Sequence, residues 1–141
     1  MFKGFVEHQL DDKNRLRIPS KFKKELTGVN GDQTYCFFRG KNNCICVMTE
    51  DGLKDTLESL MEEGFSESNR ITRAIFGSVC PAEEDAQGRV VIPHSLRAMA
   101  GIKKDVITLG VGNRLEIWAA EKYEAYMADI DYDAELGKLR F

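Results

Sequence analysis

Asp11 and Arg15 stand four residues apart in the run DDKNRLRIPS, and Asp85 and Arg89 repeat that spacing in EDAQGRVVIPH. A carboxylate and a guanidinium at this distance can meet in a charge-assisted, two-pronged pair, and the carboxylate can also accept amides of the turn between them. Either arginine can instead be turned towards an anion from outside. On sequence alone both readings stand, a structural staple and a ligand contact. Little else in the chain has the pattern of a reaction centre. His8 and His94 are the only histidines, and neither neighbours a serine or cysteine in a nucleophile motif. There is no phosphate-cradling glycine loop and no His-Glu-x-x-His. No catalytic residue and no cofactor are expected.

Cys36, Cys44, Cys46 and Cys80 are the remaining candidates for chemistry. Cys44-Ile45-Cys46 lies in an alternating run, which puts both thiols on one face of a strand. Zinc sites usually carry spacers of two to four residues and a second Cys or His pair, and neither is present. The expectation is buried, reduced thiols acting as small apolar groups, with no metal.

The elements that must position the two Asp–Arg pairs follow from an internal repeat. Asp11, Arg15, Ile18 and Pro19 align with Asp85, Arg89, Ile92 and Pro93 at a constant offset of 74. The stretch from Gly40 to Met48 aligns with Gly110 to Trp118 at an offset of 70. A longer first-half loop around TGVNGDQ accounts for the difference. Each half then reads as strand, tight turn, strand, short helix, hairpin and longer helix. Arg15 to Ile18 and Arg89 to Ile92 are short strands closed by Pro19 and Pro93, which cannot donate to a ladder. SKFKKEL and HSLRAMA are short helical pieces ended by Gly28 and Gly101. Tyr35 to Arg39 with Cys44 to Met48, and Val106 to Leu109 with Leu115 to Trp118, are hairpins. Leu53, Leu57, Leu60 and Met61, and later Tyr123, Tyr126, Met127 and Ile130, keep helical spacing. A connecting helix is expected around Arg70 to Gly77.

In each motif Asp and Arg are expected to end two antiparallel strands joined by three residues, Asp12-Lys13-Asn14 and Ala86-Gln87-Gly88. Such loops usually place their last residue at positive φ, which Gly88 adopts freely and Asn14 tolerates. Trp118 falls opposite Met48 in the repeat and is expected in the core.

The formal charge of −3 hides a segregation. Residues 1–26 hold seven bases against four acids, whereas residues 50–70 hold seven acids against Lys54 and Arg70. The basic share gathers around the first motif. No apolar run approaches the roughly 18 residues of a membrane span. The opening MFKGFVEHQLDD has no signal-peptide core, so a cytoplasmic protein is expected.

MFKG, LDDKNRLRIP, EDAQGRVVIP and GVGNRLEIWAAEKYEAY together closely resemble the MraZ proteins of bacteria, over essentially the whole chain. Asn14 departs from the family's usual glycine, and Arg17 stands where a small polar residue is common. The resemblance implies an α+β fold with a pseudo-symmetric β-barrel-like core. That core would be built from two AbrB/SpoVT-like swapped-hairpin halves with flanking helices, residues 1–76 and 77–141. It also implies a cytoplasmic, nucleoid-associated transcriptional regulator that assembles as a ring-shaped homo-oligomer. The partner would be double-stranded DNA, in repeated boxes upstream of a division and cell-wall gene cluster that includes its own gene. The family's recognition residues map onto Lys13, Asn14 and Arg15, and onto Gln87, Gly88 and Arg89. Arg17 adds charge, and Asp11, Asp85, Pro19 and Pro93 support the motifs. Lys21, Lys23 and Lys24, on the helix after the first motif, are placed for phosphates. A structural ring or protein-interaction scaffold, with purely structural Asp–Arg pairs, is the rival from another class. An AbrB-type antitoxin is a second rival, which the short acidic tail ADIDYDAELGKLRF suits poorly.

Overall fold

Alternation along the central strands decides the layering. In the computed structural model, which describes residues 1–64 and 69–140, Phe37, Ile45, Val47, Leu115 and Ile117 turn to one side of a sheet. Cys36, Phe38, Cys46, Met48 and Trp118 turn to the other. Both sides are covered, so the sheet is the middle of three layers. Glu67, counted above among the acids, and Phe141, which ends the tail, lie outside the described residues.

The chain runs β1 (Phe5–Gln9), β2 (Arg15–Arg17), α1 (Ser20–Thr27), β3 (Tyr35–Arg39), β4 (Ile45–Thr49), α2 (Glu50–Glu62) and α3 (Arg70–Ser78). It continues through β5 (Cys80–Pro81), β6 (Arg89–Val91), α4 (His94–Ala100), β7 (Asp105–Gly110), β8 (Leu115–Ala119), α5 (Ala120–Met127) and α6 (Tyr132–Leu136). The order in the main sheet is β1-β7-β8-β4-β3-β5, antiparallel throughout, while β2 and β6 form a separate two-stranded ribbon. Hairpins β3–β4 and β7–β8 fall where alternation put them, and they join through Ile45 opposite Ile117. The longer first-half loop is residues 28–34, against 101–104 at the corresponding place in the second half.

One sheet face packs on the ribbon and on α1 and α4, through Leu16, Val90, Phe22, Leu26 and Leu96. The other packs on α2, α3 and α5 through Leu53, Leu57, Ile75 and Tyr123. Thr49 caps α2 by accepting from the Gly52 amide at 2.9 Å, and Glu50 and Asp51 oppose the helix dipole in its first turn. Trp118 is buried, edge-on to Tyr123 at 5.5 Å between ring centres, as the repeat alignment led us to expect. Ile130 lies beyond the end of α5, so the helical spacing that includes it overruns the helix by three residues.

Two expectations are corrected. The core is not a closed barrel: the six-stranded sheet is open, with β1 and β5 at its edges. The ribbon does not join those edges: its three-residue strands pair only with each other, and Pro19 and Pro93 follow one residue beyond their ends. Nor do the arms of each motif zip up as a hairpin. Asp11 donates its amide to the Arg15 carbonyl at 3.0 Å, but Leu10 already donates to Lys104, and β1 pairs along β7. β2 pairs instead with β6, in the register Arg15–Val91, Leu16–Val90 and Arg17–Arg89.

Candidate nucleic-acid interface

Each motif turn is held by its aspartate. Asp11 Oδ1 accepts the amides of Lys13 and Arg15, both at 2.9 Å, while Oδ2 accepts Arg15 Nε at 2.6 Å. In the second turn Asp85 Oδ1 accepts the amides of Gln87 and Arg89 at 2.9 Å, and Oδ2 accepts Arg89 Nε at 3.0 Å. The last loop residues stand at φ 60° (Asn14) and 78° (Gly88), as three-residue loops require. The Arg15 amide, aided by the Arg15 guanidinium, holds the Asp11 carboxyl below its ordinary range. The Arg89 amide does the same for Asp85.

The ribbon brings the two turns together. Leu16 and Val90 face the core, so Arg15, Arg17, Arg89 and Val91 share the outer face. There Arg15 Nη1 lies 3.9 Å from Asp85 Oδ2, and Arg89 Nη1 lies 3.8 Å from Asp11 Oδ2. The result is a closed ring of four alternating charges, two short contacts within motifs and two longer ones between them. Both arginine side chains remain 26% exposed, so they are stapled and still open to solvent on one side.

Around this ring the other candidates divide. Lys13 and Gln87 are exposed at the tips, Arg17 is exposed directly opposite Arg89, and Lys21 and Lys24 are exposed on α1. Among the described residues none of Lys13, Arg17 and Lys24 has an ion-pair partner. Lys23, grouped with Lys21 and Lys24 on sequence, is engaged elsewhere. Its ammonium pairs with Glu84, which also accepts the Tyr35 hydroxyl at 3.0 Å, and it lies over the Tyr35 ring. Burial and the Glu84 carboxylate push the Tyr35 hydroxyl upward. Arg97 is turned away from the second tip and donates to the Ile92 carbonyl at 2.9 Å. Pro19 and Pro93 end the ribbon strands and immediately precede α1 and α4.

Two features escaped the sequence reading. The cross-motif contacts depend on the β2–β6 register, for which strands of three residues give no local signal. The Lys23–Glu84–Tyr35 latch joins residues up to 61 positions apart. The offset of 74 shared by both motifs was the available hint that the turns are geometric counterparts.

Comparison with known proteins adds a separate line. The profile of a family described as "MraZ protein, putative antitoxin-like" matches residues 1–73 and 76–136. The chain is 35% identical over 136 residues to a protein of Clostridium botulinum (strain Alaska E43 / Type E3) named transcriptional regulator MraZ, covering 94% of this chain and 92% of that protein. A protein of the same name from Caldanaerobacter subterraneus subsp. tengcongensis is 36% identical over 137 residues, covering 96% and 92%. A third, from Clostridium beijerinckii, is 34% identical over 143 residues, covering 99% and 96%.

Proposed function

Because this chain belongs to the MraZ family, we propose that it is a transcriptional regulator that binds DNA sequence-specifically through its two motif turns. The observation that carries the reading is the outward face of the ribbon. Two turns with the same internal hydrogen bonds stand side by side there, with Arg15, Arg17 and Arg89 on one surface. An arginine held by an aspartate through Nε keeps its terminal nitrogens directed and partly exposed, which suits bidentate contact with a guanine edge. Lys13, Lys21 and Lys24 are exposed and suit phosphates. The first turn is the stronger reader. Arg17 has Val91 as its counterpart, and Lys13 has Gln87, so the second turn is the poorer in positive charge. Glu83, standing where the first half has the uncharged Gln9, lowers its potential further.

The reading extends to organisation. Each strand that precedes a motif pairs with the hairpin that follows the other motif, β1 with β7 and β5 with β3. That reciprocity supports two intertwined halves, residues 1–76 and 77–141, of the AbrB/SpoVT swapped type. A ring of such chains on repeated promoter boxes gains affinity from high effective concentration. The site is expected upstream of the protein's own gene, and the protein at the nucleoid. Among the described residues no helix is long and apolar enough to cross a membrane. A structural scaffold is the second reading, and the closed charge ring favours it, since four mutually paired groups need no ligand.

A mobility-shift titration separates the two, using DNA upstream of the gene, scrambled DNA and a salt series. Arg15→Ala is expected to weaken specific binding by about 1–3 kcal/mol per contacted site. Arg89→Ala should cost less in binding. Lys24→Ala should weaken all sequences alike and flatten the salt dependence by about one unit. Lys23→Ala should change DNA binding little, because its charge already answers Glu84. A folded protein that shows no salt-dependent DNA binding establishes the scaffold reading instead.

A further inference from the structure

Cys44 and Cys46 project from one face of β4 and its entry, on the side covered by α2 and α5. The β4–β8 register places Cys46 directly opposite Glu116. Both sulfurs and a Glu116 carboxylate oxygen lie within 4.8 Å of one another, and all three residues are buried. Gly40 closes the back of the pair. A Cβ there would stand 2.7 Å from the Cys44 sulfur and 2.6 Å from that of Cys46, so any larger residue would displace the thiols.

Glu116 lies beside this apolar layer with its side chain only 12% exposed, and a carboxylate so largely buried is costly unless partnered. Glu116 is oriented on both oxygens: Oε2 accepts Arg114 Nε at 3.2 Å and Nη2 at 2.9 Å, and Oε1 accepts Trp118 Nε1 at 3.0 Å. Oε1 keeps a second lone pair. Such outer partners hold a metal-ligating group in place. Two thiolates and the carboxylate, offset by Arg114, leave two negative charges, the complement of a divalent cation. Thiolate sulfur selects soft ions of the zinc, cadmium and copper(I) type. Ligand atoms of tetrahedral zinc stand about 3.8 Å apart for a sulfur pair, so closing from the present spacing needs side-chain rotation and no strand movement. Sequence spacing argued against metal because no second pair follows Cys44-x-Cys46. The fold supplies the missing group from β8.

We propose that Cys44, Cys46 and Glu116 form a binding site for a thiophilic d10 cation, with zinc(II) the charge match. The ion takes two sulfurs and Glu116 Oε1, and an external ligand completes the tetrahedron. Binding breaks two S–H bonds and forms two sulfur–metal bonds, both protons pass to solvent, and nothing is oxidised.

The test uses the reduced, metal-stripped full chain. Cadmium(II) is titrated while thiolate-to-cadmium absorption and the fluorescence of Trp118, the sole tryptophan, are followed. Zinc(II) is titrated against a coloured chelator. One equivalent per chain is expected, with a rise in melting temperature on adding metal. The Cys36→Ala/Cys80→Ala variant retains only Cys44 and Cys46 and should give the full two-thiolate absorption. Cys46→Ala should weaken binding at least about tenfold. Circular dichroism on each variant separates loss of the site from loss of the fold. No stoichiometric binding by the folded wild type, or loss of the signal in the folded Cys36/Cys80 variant, overturns the proposal.

Discussion

Asn14 and Gly88 occupy equivalent turn positions at φ 60° and 78°, yet one carries a side chain and the other does not. Asparagine tolerates the left-handed region, whereas a β-branched residue there clashes with its own backbone. Asn14→Gly is expected to be neutral or stabilising, and Asn14→Val to cost about 1–2 kcal/mol in denaturant melts. The turns' aspartates carry a pH signature. Asp11 and Asp85 are held below the usual value of 3.8, chiefly by the amides of Arg15 and Arg89. A carboxyl whose folded pKa lies below its unfolded one contributes stability that is complete above the unfolded value. That contribution is lost as pH falls through the folded value. Melting temperature should therefore drop below about pH 4, and the Asp11→Asn/Asp85→Asn variant, already weakened at neutral pH, should drop less over that window. Equal acid sensitivity of variant and wild type would show that the aspartates do not hold the turns.

At the scale of elements the ribbon stands out, because so few residues make it. Three residues from each strand align the two motifs, and Leu16, fully buried, pins the pair to the sheet through its side chain. Leu16→Ala should cost about 2–5 kcal/mol by removing packed volume, and DNA binding should fall with the folded fraction alone at temperatures below the melt. The N-terminal MFKG shows a similar economy. Phe2 is buried and exchanges backbone hydrogen bonds of 2.7 and 2.9 Å with Gly112, and the Gly110 amide donates to Gly4 at 2.8 Å. A Cβ on Gly110 would meet the Phe2 carbonyl carbon at 2.4 Å, so glycine is needed for that approach. Two of the four stretches that carry the family resemblance are thus packed against each other.

The whole molecule is interlaced: each motif's preceding strand crosses to the other hairpin, so neither hairpin completes its sheet without the other part of the chain. The crossing leaves two edges. β5 is two residues long and ends in Pro81, a poor template for further pairing, whereas β1 presents five residues and a half-exposed Phe5. On α3, Ile71 and Phe76 are 50% and 51% exposed. These surfaces fit the proposed ring, whose interfaces must cover apolar area on each chain. Light scattering at micromolar concentration should report a mass several times 16.0 kDa, and a monomer mass would remove the ring from the proposal.

Much of this was legible in local pattern. The two turns, their positive-φ residues, both hairpins and the buried Trp118 follow from short-range rules of loop length, alternation and spacing, and those rules act within a few residues. The MraZ resemblance was equally local, carried by contiguous motifs. What the tertiary structure alone decided was partnership between distant segments. No residue near Arg15 encodes that its strand pairs with Arg89's, that Asp85 shares its charge, or that Lys23 answers Glu84. Nothing around Cys44 indicates that a strand seventy residues on delivers Glu116 opposite Cys46. Strand pairing is chosen by which exposed edges and apolar faces remain once the whole chain is packed, and side-chain period alone is the same for every candidate partner.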